Sequence, residues 1–193
     1  MFQLSAPQKF DIYSYKHADV ILKNAFPNEW EDINHMLEDF IINKSWLIEG
    51  GGGKSKIALA VDEQLIEKRG WIEKEFHTSV VSDGVSRKNP SHLIDCYKNR
   101  IAFELEWNNK TEFYDRDLNN FRILHNLDII SLGIIMTRST SLHARLREYG
   151  IIGKYGASTT HGDKLLKKIA GDGSGGCPIL VIQIKSDCID ESR

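Results

Sequence analysis

Apolar positions along this chain recur with two different periods, and the switches between them mark out its elements. Over residues 27–41, Trp30, Ile33, Leu37, Phe40 and Ile41 fall at helical spacing, with Asn28 placed to cap the start and Glu31 three residues on. The glycines of 50–53 break that pattern as a turn. A second helix is expected over 61–69, with Val61, Leu65 and Ile66 inward and Gly70 as its stop. Residues 84–91 are polar with one proline and read as a loop.

Two strands follow, 92–97 and 101–107. The second alternates strictly, with Ile101, Phe103, Leu105 and Trp107 on one face and Ala102, Glu104 and Glu106 on the other. Phe113, Asp117, Leu118, Phe121, Leu124 and His125 return to helical spacing. The apolar run 129–136 reads as a strand covered on both faces. Residues 137–170 carry helical segments, 171–176 a turn, and 178–184 a last buried strand. Strand, helix, strand over 101–136 implies a right-handed crossover and a partly parallel sheet. The expected class is α/β, a central mixed sheet flanked by helices, with residues 1–193 forming a single domain.

Composition narrows this further. The chain has 193 residues, 41% of them hydrophobic, and a formal net charge of −2, which excludes disordered, collagen-like and disulfide-dense classes. Cys96, Cys177 and Cys188 show no CxxC spacing and read as reduced thiols. The opening residues lack the basic region and apolar core of a signal peptide, and no apolar run could cross a bilayer. An intracellular, cytoplasmic protein with no membrane partner is expected.

The chemistry lies at 94–107. If Asn99-Arg100 forms a two-residue turn, Lys98 pairs with Ile101 and Asp95 falls opposite Glu104, with Glu106 on the same face. Opposed carboxylates need a compensating cation or solvent. Hard oxygen donors at such spacing suit Mg²⁺, with Asp95, Glu104 and the backbone carbonyl of Leu105 as its ligands. Glu106 would then take a proton from, or orient, the attacking water. Spacing alone leaves open a solvated sheet edge.

At these residues the sequence resembles the BglII/BamHI-type branch of the type II restriction endonucleases, within the PD-(D/E)xK nuclease fold. The match rests on Ile94-Asp95-x-x-Lys98-x-Arg100 with Glu104-x-Glu106 nine residues after the aspartate. It extends to His17-Ala18-Asp19-x-Ile21-Leu22 followed by Trp30-Glu31-Asp32-Ile33. It also includes the later order of helix, buried strand ending at Met136, small polar segment 157–160, helix and apolar strand. The resemblance is weak over residues 44–90.

It implies a restriction-endonuclease-like core with catalytic Asp95, Glu104 and Glu106. It further implies a Mg²⁺-dependent homodimer that cuts both strands of a short palindromic site in double-stranded DNA, leaving 5′ overhangs. A GATC-centred site and a cognate DNA methyltransferase, as genetic partner in a prokaryotic-type restriction system, belong to the same expectation. The common form of this fold has lysine where Glu106 stands, so a water assisted by Glu106 is preferred to a lysine base. Glu73 and Glu75 are the nearest upstream acids that could join the site. Two other readings stay open: a repair or structure-specific nuclease, and a non-catalytic sequence-specific DNA-binding module.

DNA contacts are expected from Asn108, Asn109 and Lys110, because asparagine can bond adenine on two edges and lysine can hold a phosphate. Ser158, Thr159 and Thr160 resemble the family's base-contacting loop. Residues 137–168 hold seven lysines and arginines, among them Arg138, against two acids, a local +5 that leaves −7 for the rest. Gly50–Gly53 with Lys54-Ser55 is not a nucleotide loop, since Ile48 stands where the motif needs glycine. A loop closing over DNA, with Lys54 on a phosphate, is expected instead. The seven histidines show no metal spacing.

Overall fold

A computed structural model describes residues 8–49, 53–88, 91–156 and 158–192. The expectations for the N-terminal segment, for Gly50 to Gly52, for Asn89 and Pro90 of the 84–91 loop, and for Ala157 lie outside the described residues.

In chain order the elements are β1 (Phe10–Tyr15), α1 (Ala18–Ala25), α2 (Pro27–Asp39), β2 (Ile42–Asn43), α3 (Lys44–Ile48) and α4 (Lys56–Asp62). β3 (Ile72–Phe76), β4 (Ser79–Ser82), β5 (Val85–Lys88), β6 (His92–Lys98) and β7 (Ile101–Glu106) come next. The chain continues with α5 (Glu112–Asn126), β8 (Leu132–Arg138), α6 (Leu142–Glu148), α7 (Gly162–Ala170), β9 (Ile179–Ile184) and β10 (Ile189–Asp190).

Six strands form one mixed sheet in the order β1-β9-β8-β7-β6-β3. β7, β8 and β9 run parallel, while β1, β6 and β3 join antiparallel. This is the α/β architecture that the residue pattern predicts, with β7 near the middle. Asn99 (φ 42°) and Arg100 (φ 69°) both take the left-handed conformation of a tight hairpin turn, and Lys98 pairs with Ile101.

The alternation in β7 divides the core in two. Ile101, Phe103, Leu105 and Trp107 pack with residues of α1, α2, α4 and α6; Ala102 packs with α5 and α7 on the other face. α5 comes close to the sheet because Gly133 has no side chain: a Cβ there would lie 2.2 Å from the Phe121 ring. Among the described residues no helix is long and apolar enough to cross a membrane.

Four local expectations change. α2 begins two residues earlier than a cap at Asn28 would allow. Pro27 takes the first helical position, where its fixed φ and missing N–H cost nothing, and Phe26 precedes it. Ile41 is exposed, because α2 ends at Asp39 and the chain turns. The second helix starts earlier, with the Ser55 hydroxyl accepting from the Ala58 amide, and continues past Asp62 as a wider turn, Glu63–Glu67, before Gly70 ends it. The segment read as a loop after Gly84 is instead half of the exposed hairpin β4–β5, turning at Asp83 and Gly84.

Candidate active site

The site begins with an irregularity in β6. Against β3, Tyr97 pairs with Ile72 and Ile94 with Lys74, so β6 carries one residue more than its partner over this stretch. Its pairing with β7 stops at Cys96 opposite Phe103. The regular Asp95–Glu104 rung expected from the turn is therefore absent, although the two residues still meet. The Asp95 amide donates to Glu104 Oε2 (3.4 Å), and Asp95 Oδ2 accepts from the Leu105 amide (3.1 Å), replacing a ladder carbonyl.

Glu104 and Glu106 are 1% and 2% exposed, which removes the alternative of a solvated sheet edge. Burial, then the charges of Asp117 and Asp95, pushes the Glu104 carboxyl well above the usual carboxylate range. Its Oε1 has no hydrogen-bond donor among the described residues. Burial and Asp117 likewise raise Glu106 to about 9, opposed by a hydrogen bond from Asn109 Nδ2 (2.7 Å) and by Arg116 (3.3 Å). Glu106 is therefore protonated at neutral pH.

Asp117, on α5, is fully buried, and its pKa is raised by burial against the pull of Arg116. Arg116 Nε donates to its Oδ1 (2.9 Å), and among the described residues no amide, hydroxyl or cationic donor reaches Oδ2. A side-chain hydrogen bond between Glu106 and Asp117 raises the first and lowers the second, which favours the shared proton on Glu106. Asp117 shows in the sequence as the one carboxylate on the helical stripe of Phe113, Leu118, Phe121, Leu124 and His125, and that is the signal by which it could have been found.

The three expected carboxylates thus separate into two pairs, Asp95 with Glu104 and Glu106 with Asp117. Among the described residues no three acids, histidines or cysteines are gathered to hold a metal. A fit remains for a cation held by few protein oxygens. Glu104 Oε1 is a buried, unpartnered hard donor, and Mg²⁺ characteristically uses one or two carboxylates with waters and phosphate.

Asp95 is half-buried and opens into a cleft of about 790 Å³, which Lys54, Trp107, Asn108, Asn109 and Lys154 also line. Partial burial works against the Lys54 charge, but its ion pair with Asp62 and the nearby charges of Asp95 and Glu73 outweigh this and raise its pKa. Glu73 therefore lies within electrostatic reach of the cleft. Glu75 turns instead to His77 (3.7 Å).

The residues expected to read DNA come together, although 50 positions separate them. The Thr160 amide donates to the Asn109 carbonyl (2.9 Å), Lys110 bridges to Thr159, and the Thr111 amide donates to the Ser158 carbonyl (2.9 Å). Segments 108–110 and 158–160 form one ridge beside Glu106. Asn108, Lys110 and Ser158 are exposed on it. The Asn108 side chain donates to the Lys154 carbonyl (3.1 Å).

Two side chains depart from the expectation of direct contact. Thr160 and Arg138 are fully buried, Thr160 because its backbone is tied into the ridge. Arg138 is drawn inward by the Thr160 carbonyl, the Thr159 hydroxyl and the Tyr155 ring. The basic run 137–168 is not one open surface either. Arg145 pairs with Glu148 and Lys168 with Asp115.

A family model described as restriction endonuclease BglII/BglIII matches residues 10–184, and the chain belongs to that family. Among curated proteins, none matches the chain. Family membership makes the molecule a type II site-specific deoxyribonuclease that binds double-stranded DNA, in a group that generally uses divalent metal ions.

Proposed function

We propose that this member of the BglII/BglIII family is a Mg²⁺-dependent homodimer that hydrolyses a phosphodiester bond in each strand of a short palindromic site. The observation that carries the reading is contiguity. The Asp95–Glu104 pair, with its unpartnered oxygen, lies two strand positions from Glu106, whose carboxyl is bonded by Asn109 of the exposed ridge.

Asp95, Glu104 and the Leu105 carbonyl would hold the cation. When bound, it supplies positive charge to the scissile phosphate and lowers the pKa of the attacking water. The charge of a bound cation would favour the ionised form of Glu106, and in that form Glu106 orients the water and takes its proton. Asn108, Asn109, Lys110, Ser158 and Thr159 face the duplex, the Thr160 backbone fixes that face, and Lys54 meets a phosphate across the cleft. Arg138 acts from beneath. Two active sites are needed to cut two strands symmetrically, which supports the dimer. The 5′ overhang, a GATC-centred site, a methyltransferase as genetic partner, cytoplasmic location and a single nuclease domain over 1–193 rest on the family resemblance.

Digestion of plasmid DNA with Mg²⁺, followed by run-off sequencing, tests the reading. Discrete fragments ending at one palindrome are expected. Glu104→Ala should abolish cutting while calcium-supported binding persists. A wild-type protein that binds a site with Mg²⁺ and never cuts it would overturn the proposal.

A further inference from the structure

Arg138 ends β8 as a fully buried cation, and no carboxylate lies within ion-pair distance of it among the described residues. Burial lowers its pKa to about 10, which still leaves it charged at neutral pH. Such a charge is costly unless its geometry is put to use. Here the planar fork is. Nε donates to the Thr160 carbonyl (2.7 Å), Nη2 donates to the Thr159 hydroxyl, and the guanidinium lies 4.9 Å from the centre of the Tyr155 ring. Tyr155 in turn meets Trp107 edge-on, centroids 6.2 Å apart at 84°, and Trp107 directly follows Glu106. Arg138 therefore touches the ridge on one side and, through Tyr155, the end of the catalytic strand on the other.

We propose that Arg138 is a positioning residue that fixes the register of the 158–160 segment against the catalytic strand, so that a duplex seated correctly on the ridge also seats its phosphate at Glu104 and Glu106. The inference rests on the reading of the ridge as the DNA-contacting surface. It assigns Arg138 to site discrimination without giving it a contact to DNA. Its unpartnered Nη1 leaves the fork one spare donor inside the protein. Lysine in its place would keep the charge and lose the fork.

The test compares Arg138→Lys, Thr159→Val and the double variant with wild type. Binding is measured in calcium on duplex oligonucleotides carrying the cleaved site or single-base changes of it, over a range of salt. Arg138→Lys is expected to lower discrimination between the site and its variants about tenfold, the scale of one mismatched base pair. The slope of log affinity against log salt should stay at the wild-type value, because no phosphate contact is lost. Thr159→Val should shift discrimination the same way, and the double variant should add little to Arg138→Lys.

Unchanged discrimination in Arg138→Lys would overturn the proposal. So would a salt slope reduced by about one with discrimination intact, the mark of a direct phosphate contact. So would losses that add independently. If Arg138→Lys fails to fold, Thr159→Val decides alone, and wild-type discrimination there sinks the idea. A wild type without site preference fails earlier in the same assay and marks failure of the underlying reading.

Discussion

The two carboxylate pairs each have one member on β7, Glu104 with Asp95 of β6 and Glu106 with Asp117 of α5, and they differ in exposure and in partners. Asp95 and Glu104 draw on backbone amides, open to the cleft through half-buried Asp95, and leave Glu104 Oε1 unpartnered. Glu106 and Asp117 are closed under α5, where Arg116, Asn109 and a retained proton balance their charge. Burial raises both glutamate carboxyls, and it is their partners that differ. The first pair leaves an oxygen unpartnered and able to receive a cation; the second is already met by Asn109 and Arg116 and able to hold a proton. Burial and partners decide the role, and residue type does not.

The comparison can be broken from the first pair. Glu104→Gln removes a charged donor and should cut plasmid cleavage on the order of 10³-fold or more, given that metal stabilisation supplies several kcal/mol. A variant with near wild-type rates would leave the pair without its proposed task. From the second pair, Glu106→Gln should lower the cleavage rate by about 10²- to 10⁴-fold, the range for general acid–base groups, while binding of the duplex in calcium holds.

The metal-free protein sharpens the contrast through pH. Glu106 has a folded-state value of about 9 against 4.5 for a free glutamate, so the folded chain keeps a proton that the unfolded chain gives up. Its contribution to stability is full below about 4.5 and is lost as pH rises toward about 9. Thermal melts across that window should show a falling midpoint in wild type and a flatter profile in Glu106→Gln. The smallest effect belongs far from both pairs. Val81→Ser in the exposed β4–β5 hairpin should alter stability by less than about 0.5 kcal/mol and leave cleavage rates unchanged.

What the sequence made legible was local. The left-handed turn at Asn99-Arg100, the two faces of β7 and the covered strands β8 and β9 follow from turn chemistry and from periods of two. What stayed hidden depends on partners distant in the chain. The extra residue in β6 shows only against β3, and the inward pull on Arg138 only against Thr159 and Thr160. Asp117 needed the knowledge that α5 lies over Glu106. The ridge joins segments that no spacing rule connects.

The placement of β1 has a further consequence, for synthesis of the chain. β1 is the first element among the described residues, yet its ladder in the main sheet is to β9, with Phe10 opposite Ile184 and Tyr15 opposite Ile179. β1 therefore waits for the distant β9 before it can join the sheet, a long loop closure that slows folding. While the chain is still emerging from the ribosome, the catalytic strand has no completed sheet to stand on. The DNA of the cell making this enzyme faces a folded nuclease only after translation has passed Ile184.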